Sequence, residues 1–115
     1  MTIKRFETNQ RMSQVVVHGG VAYLAGQVPD DARADIGTQT EQVLAKIDRL
    51  LALAGTDKSK LLSATIWLTD MRYFAEMNAK WDAWVPAGGA PARATVHAAL
   101  AAPDLKIEIG IIAAV

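Results

Sequence analysis

Ser13-Gln14-Val15-Val16-Val17-His18-Gly19-Gly20-Val21-Ala22-Tyr23-Leu24-Ala25-Gly26-Gln27-Val28 decides the fold. Two runs rich in Val, Tyr and Leu flank a pair of glycines. Side chains of this kind suit a pleated, half-buried strand, and a two-residue glycine turn supplies the positive φ of a tight hairpin. The stretch predicts an antiparallel hairpin. Pro29-Asp30-Asp31 ends it and opens a loop. Upstream, Ile3 to Phe6 offers a short extra strand.

Downstream the apolar period lengthens. From about Ile36 to Ala54, the residues Val43, Leu44, Ile47, Leu50, Leu51 and Ala54 follow the spacing of a one-sided helix. Gln42, Lys46 and Arg49 fall on its wet side, and Gly55 is its stop. Lys60 to Thr69 reads as a strand. Asp70 stands where it can cap a second helix, Met71 to Val85, whose stripe is Phe74, Met77, Trp81, Trp84 and Val85. Pro86 and Gly88-Gly89 end that helix. Strands near Ala92–Ala98 and Lys106–Ala113 complete the order β-β-(β)-α-β-α-β-β.

This order predicts one α+β domain over residues 1–115, a mixed sheet with both helices on one face. The other sheet face, rich in Val, Ile and Leu, needs a cover, and oligomerisation is the simplest one.

Acidic and basic residues balance at twelve each, which argues against a broad electrostatic grip on nucleic acid or an anionic membrane. There is no cysteine, so disulfides and thiolate chemistry are excluded, and His18 and His97 alone make a poor start to a zinc site. No stretch approaches the roughly 20 apolar residues of a membrane span. Met1-Thr2-Ile3-Lys4-Arg5-Phe6 lacks the apolar run of a signal peptide, so a cytoplasmic location is the expectation.

Two charges interrupt the last strands. Arg93 lies in Pro91-Ala92-Arg93-Ala94-Thr95-Val96, and Glu108 in Lys106-Ile107-Glu108-Ile109-Gly110-Ile111-Ile112. A full charge within an apolar strand is costly unless it is paired or meets water in a cleft. A guanidinium grips a carboxylate with two hydrogen bonds, and a nearby carboxylate can deprotonate a water. The pair points to a site for a small carboxylate-bearing molecule. The competing reading is a structural ion pair between strands or subunits.

Gly26-Gln27-Val28-Pro29, Phe74-Ala75-Glu76-Met77-Asn78, Pro91-Ala92-Arg93 and Lys106-Ile107-Glu108-Ile109 occur in the order and spacing of the RidA (YjgF) family, and the chain resembles that family over nearly its whole length. Ala64-Thr65-Ile66-Trp67-Leu68, Asn78-Ala79-Lys80-Trp81-Asp82-Ala83-Trp84 and Arg11-Met12-Ser13 resemble its YoaB-type branch most. The resemblance implies a chorismate-mutase-like (bacillus type) α+β fold and a homotrimer. Its sheets would line a central barrel, with ligand clefts between subunits. It also implies deamination of reactive 2-enamines and 2-imines to 2-oxo acids and ammonia, without cofactor or metal.

On that resemblance Arg93 holds the substrate carboxylate and Glu108 activates water, the two facing one wet crevice closed by a neighbouring protomer. Backbone groups at Ala25, Gly26 and Thr95 contact substrate or water. Met12, Ala25 and Thr95 stand where RidA itself has tyrosine, serine and cysteine, so these departures bear on substrate range. Asn78, polar on an apolar stripe, either caps a neighbouring backbone group or reaches the cleft. Trp81 and Trp84 at helical spacing are expected in packing, Tyr23 in the core or an interface, and His97 at a polar strand end. The alternative function is a non-catalytic trimer that binds a small carboxylate and regulates a partner. RNA cleavage, also attached to this family, is disfavoured by the zero net charge. A chorismate mutase would need more than one arginine and one glutamate to hold two carboxylates.

Overall fold

Val15 lies opposite Leu24, and His18 opposite Val21, so Ser13–His18 (β2) and Val21–Gln27 (β3) form the expected hairpin. Gly19 and Gly20 make its turn with φ of 60° and 77°, a region that costs side-chain-bearing residues dearly. Lys4–Thr8 (β1) pairs antiparallel with the outer side of β2. These features come from a computed structural model that describes residues 2–115.

The remaining elements are a helix Ile36–Leu53 (α1), a strand Leu61–Leu68 (β4), a helix Phe74–Trp84 (α2) and strands Ala92–His97 (β5) and Ile107–Ala114 (β6). The six strands lie in the order β1-β2-β3-β6-β4-β5. Every neighbouring pair is antiparallel except β4 and β5, which run parallel. A parallel pair needs a crossover, and α2 provides it.

Side chains alternate along a strand, so register decides what each face carries. Ile107, Ile109, Ile111 and Ala113 of β6 are buried, as are Ala64, Ile66 and Leu68 of β4. They meet Val43, Ile47, Leu50 and Leu51 of α1 and Met77 and Trp81 of α2 in one core. Both helices therefore cover the same sheet face. The other face carries Val16, Tyr23 and Ile112, which are level across β2, β3 and β6, with Trp67 and Val96 further along. Tyr23 is 46% exposed and Val96 41%, so this face is apolar and open. No helix among the described residues is long and apolar enough to cross a membrane.

The second helix differs from its expected start. Asp70 caps a 3₁₀ turn, Met71–Tyr73, and α2 begins only at Phe74 without a side-chain cap. The Asp70 carboxylate accepts from the Arg72 backbone N–H at 2.9 Å and from its guanidinium at 2.6 Å. The Arg72 hydrogen bonds hold the Asp70 carboxyl down at about 2. The turn is 3₁₀ because its backbone bonds span three residues: the Tyr73 N–H donates to the Asp70 carbonyl at 3.1 Å and the Phe74 N–H to that of Met71.

Gln39, on α1, is fully buried and escaped the sequence pattern. Its Nε2 lies within hydrogen-bonding distance of the carbonyls of Ala32 (3.1 Å), Ala34 (3.0 Å) and Asp104 (3.2 Å). Its Oε1 accepts from the Lys106 N–H at 2.9 Å. One side chain thus ties the loop before α1 to the loop before β6. Gln39→Met fills the same volume but orphans these backbone groups. It is expected to destabilise the fold by roughly 1–3 kcal/mol in urea unfolding.

Candidate functional site

Arg93 is level with Ala64 on β4, and Thr95 with Ile66. Both β4 residues are buried under the helices, so Arg93 and Thr95 face the helix layer. The Arg93 guanidinium lies 5.4 Å from the Trp81 ring centre and 6.0 Å from that of Phe74. Flat cations over aromatic faces are held in place without losing their hydrogen-bonding edges. Asn78 comes between Phe74 and Trp81 on the same stripe of α2, four residues after one and three before the other.

Two atoms in this neighbourhood are orphaned. Asn78 Oδ1 and Thr95 Oγ1 are buried and have no hydrogen-bond partner. Such a group forfeits roughly 1–3 kcal/mol unless something unseen completes it. Asn78 Oδ1 therefore caps no backbone group. Arg93 forms no ion pair among the described residues. The cluster offers two guanidinium edges for an anion, an acceptor for an N–H or O–H, and a hydroxyl. That set matches a small molecule bearing a carboxylate beside a nitrogen or water donor.

Glu108 stands elsewhere. It is level with Trp67, whose neighbours Ile66 and Leu68 are buried, so it points to the open face. Its carboxylate rests on the backbone of Gly26: a Cβ built there would fall 2.0 Å from Glu108 Oε2. The pairing of β3 with β6 slips between Leu24 and Gln27, and the bulge presents Ala25 and Gly26 to Glu108. The Trp67 ring lies on Gly110, 3.3 Å from where a Cβ would be. Continuing the ladder in which Val15 opposes Leu24 brings Met12 and Ser13 alongside this bulge. Met12 is exposed at the tip of the β1–β2 hairpin, its N–H donating to Asn9 Oδ1 at 3.0 Å. Glu108, like Arg93, has no ion-pair partner among the described residues.

Within one chain, then, Arg93 and Glu108 do not face each other. They lie on opposite faces of the sheet, on strands flanking β4, and three residues out of level. Standard strand spacing puts their Cα atoms roughly 14 Å apart. The expectation of a structural ion pair between strands fails within the chain, and the Arg93 and Glu108 of one chain do not face a common crevice that a neighbour could then close, as the resemblance implied. The cause is parity: Arg93 shares the phase of Ala64, and Glu108 that of Trp67. Each chain carries two separate clusters, a cationic one under α2 and an acidic one on the open face.

The other candidates fall outside both. Trp84 packs beside Trp81 at 5.3 Å, and its Nε1 donates to Asp48 at 3.1 Å. The His97 ring bonds the Thr69 carbonyl at 3.0 Å through Nε2. Tyr23 stands on the open face, not in the core. No group of three or more His, Cys, Asp or Glu able to hold a metal occurs among the described residues. The role of Phe74 and Trp81 as a platform for Arg93 was missed. Its trace in the sequence is Asn78 set between two aromatics at helical spacing.

The family model described as Endoribonuclease L-PSP matches residues 2–115. The chain is 50% identical to the RutC family protein YoaB of Escherichia coli (strain K12), over all of both chains. It is 48% identical to a RutC family protein of Haemophilus ducreyi, covering 98% of this chain and 97% of that one. The crystal structure of NMB1025 from Neisseria meningitidis, a member of the YjgF protein family, superposes with a TM-score of 0.96 at 48% identity, covering 99% and 95% of the two chains. A family match over residues 2–115, together with 50% identity over the full length of a relative, leaves one conclusion: this chain belongs to the YjgF/RidA family.

Proposed function

We propose that the protein is a cofactor-independent enamine/imine deaminase whose site is assembled from two protomers of a homotrimer. Arg93, Thr95 and Asn78 of one protomer meet Glu108, Gly26, Ala25 and Met12 of the next. The observation that carries this reading is the unpaired Arg93 guanidinium grouped with the orphaned Asn78 and Thr95 atoms. Open apolar surface on the Glu108 face gives a second protomer a reason to dock there.

Arg93 holds the substrate carboxylate by two charge-assisted hydrogen bonds, and the rings of Trp81 and Phe74 keep the guanidinium flat against it. Asn78 Oδ1 accepts from the imine N–H. Glu108 accepts a hydrogen bond from water. The imine reacts in its protonated form, C=NH2⁺: as the water oxygen bonds to the carbon, Glu108 takes a water proton and the C=N π electrons become the lone pair of an amine. Glu108 returns that proton to the nitrogen, then takes the carbinol hydroxyl proton as the C–N bond breaks, so that a 2-oxo acid forms and ammonia leaves, carrying the proton away as ammonium. One water is consumed for each ammonia released, and no redox partner is needed. Since such imines hydrolyse unaided, holding and polarising one water is enough to matter.

The test generates imines with an amino-acid oxidase while semicarbazide competes for them. Wild-type protein is expected to lower the semicarbazone yield. Glu108→Ala is expected to abolish that effect yet still bind a 2-oxo acid. Uniform failure with small and bulky imines, alongside intact 2-oxo-acid binding, would transfer the assignment to a carboxylate sensor.

A further inference from the structure

Three recesses among the described residues bear comparison. The one between α1 and α2, about 350 Å³, is satisfied from within: Lys80 pairs with Glu41 at 3.1 Å, and Lys58 sits 5.2 Å above the Trp84 ring. The one beside His97, about 400 Å³, is walled largely by Ala98, Ala99, Leu100, Ala102 and Pro103 and offers little to recognise. The third, about 360 Å³, is different in kind. Arg5 and Arg11 line it, and no acid does.

Neither guanidinium makes an ion pair among the described residues, and neither donates a side-chain hydrogen bond there. The scaffold under them is nonetheless firm. Asn9 Oδ1 accepts from the backbone N–H groups of Arg11 at 2.8 Å and Met12 at 3.0 Å, pinning the hairpin tip. Thr8 and Ser13 join their hydroxyls at 2.7 Å across its base. Two like charges gathered in one recess repel unless an anion lies between them.

The recess adjoins the acidic half-site. Met12 and Ser13 belong to its wall and also flank the Gly26 bulge. Arg5 is level with Val16, which is level with Tyr23 and then Ile112, so Arg5 shares the open face with Glu108. On the two-protomer reading, the part of a substrate beyond the imine carbon at Glu108 has the Met12 end of this recess nearest to it on the same chain.

We propose that Arg5 and Arg11 hold a second carboxylate, so that the cleft prefers imines of dicarboxylic amino acids to those of monocarboxylic ones. This inference rests on the deaminase reading. It concerns the protomer that supplies Glu108, and it gives the Met12 position a purpose: a slim, flexible side chain leaves the path to the recess open.

The experiment compares 2-iminoglutarate with 2-iminopentanoate, equal in carbon number and made in place by the oxidases of their parent amino acids. The wild type is expected to show a higher kcat/KM for the dicarboxylate. Arg5→Gln and Arg11→Gln should each cut that ratio by about tenfold, and Arg11→Lys should recover part of it. Arg33→Gln, the same charge change on an exposed loop, should leave the ratio alone. A wild-type ratio of one, a ratio unmoved by both recess variants, or an equal fall in Arg33→Gln overturns the proposal. Calorimetry with 2-oxoglutarate and 2-oxopentanoate separates it from the deaminase reading. Tighter, Arg11-dependent binding of the dicarboxylate by a protein that hydrolyses no imine upholds the recess and removes the enzyme. Equal binding of the two removes the recess.

Discussion

Chains carrying Arg93→Ala and chains carrying Glu108→Ala, each strongly impaired alone, are expected to recover part of the proposed imine hydrolysis when unfolded and refolded together. The two side chains point from opposite faces of one sheet, and the proposed site therefore takes them from two protomers. In a closed ring each interface takes its cation from one neighbour and its acid from the other. Random mixing in equal amounts leaves about one interface in four with both groups intact. Separately, Arg93→Ala is expected to lose roughly 10- to 150-fold in kcat/KM, the worth of a charge-assisted carboxylate contact. The loss should be general across imines. A mixture no more active than its components would mean that the two half-sites never meet.

Gly26→Ala should damage catalysis nearly as much as loss of Glu108 itself. A Cβ at this position falls 2.0 Å from Glu108 Oε2 and 2.8 Å from its Cδ, so the carboxylate must swing away. The displaced atoms are the tip of a flexible side chain on the open face, so the fold absorbs the change. The expected result is a kcat lower by ~10²- to 10⁴-fold, the range of a lost general base. KM and the thermal midpoint should move little, because Arg93 and the core are untouched. Unimpaired turnover in a folded Gly26→Ala protein would remove Glu108 from the chemistry. If the midpoint collapses instead, Gly26→Ala in a Glu108→Ala background, which removes all three crowded atoms, is expected to restore it and so to show that the clash with Glu108 is the cause.

The parts of the fold visible in the sequence were those set by local rules. The Gly19-Gly20 hairpin and the apolar stripe of α1 need only neighbouring residues to specify them. The charges at 93 and 108 were visible because each breaks an apolar strand. Their separation to opposite faces was not. It depends on which residue of β4 each one meets, and that register is set by long-range pairing. The bulge that lays Gly26 against Glu108 leaves no local trace except the glycine. The 3₁₀ start before α2 rests on backbone bonds three residues apart, and a capping Asp70 signals a helical start of either kind. Gln39 reads as an ordinary helix former, since its four backbone partners come from segments far apart in the chain.

The placement of β6 also governs how the molecule is made. The strand synthesised last of the six is inserted between β3 and β4, where it becomes the keystone of the sheet. Without it the sheet would part into a β1-β2-β3 ribbon and a β4-α2-β5 unit, each with an unpaired edge, at β3 and at β4. Nascent chains should therefore stay protease-sensitive until residues 107–114 are free, then close in one cooperative step.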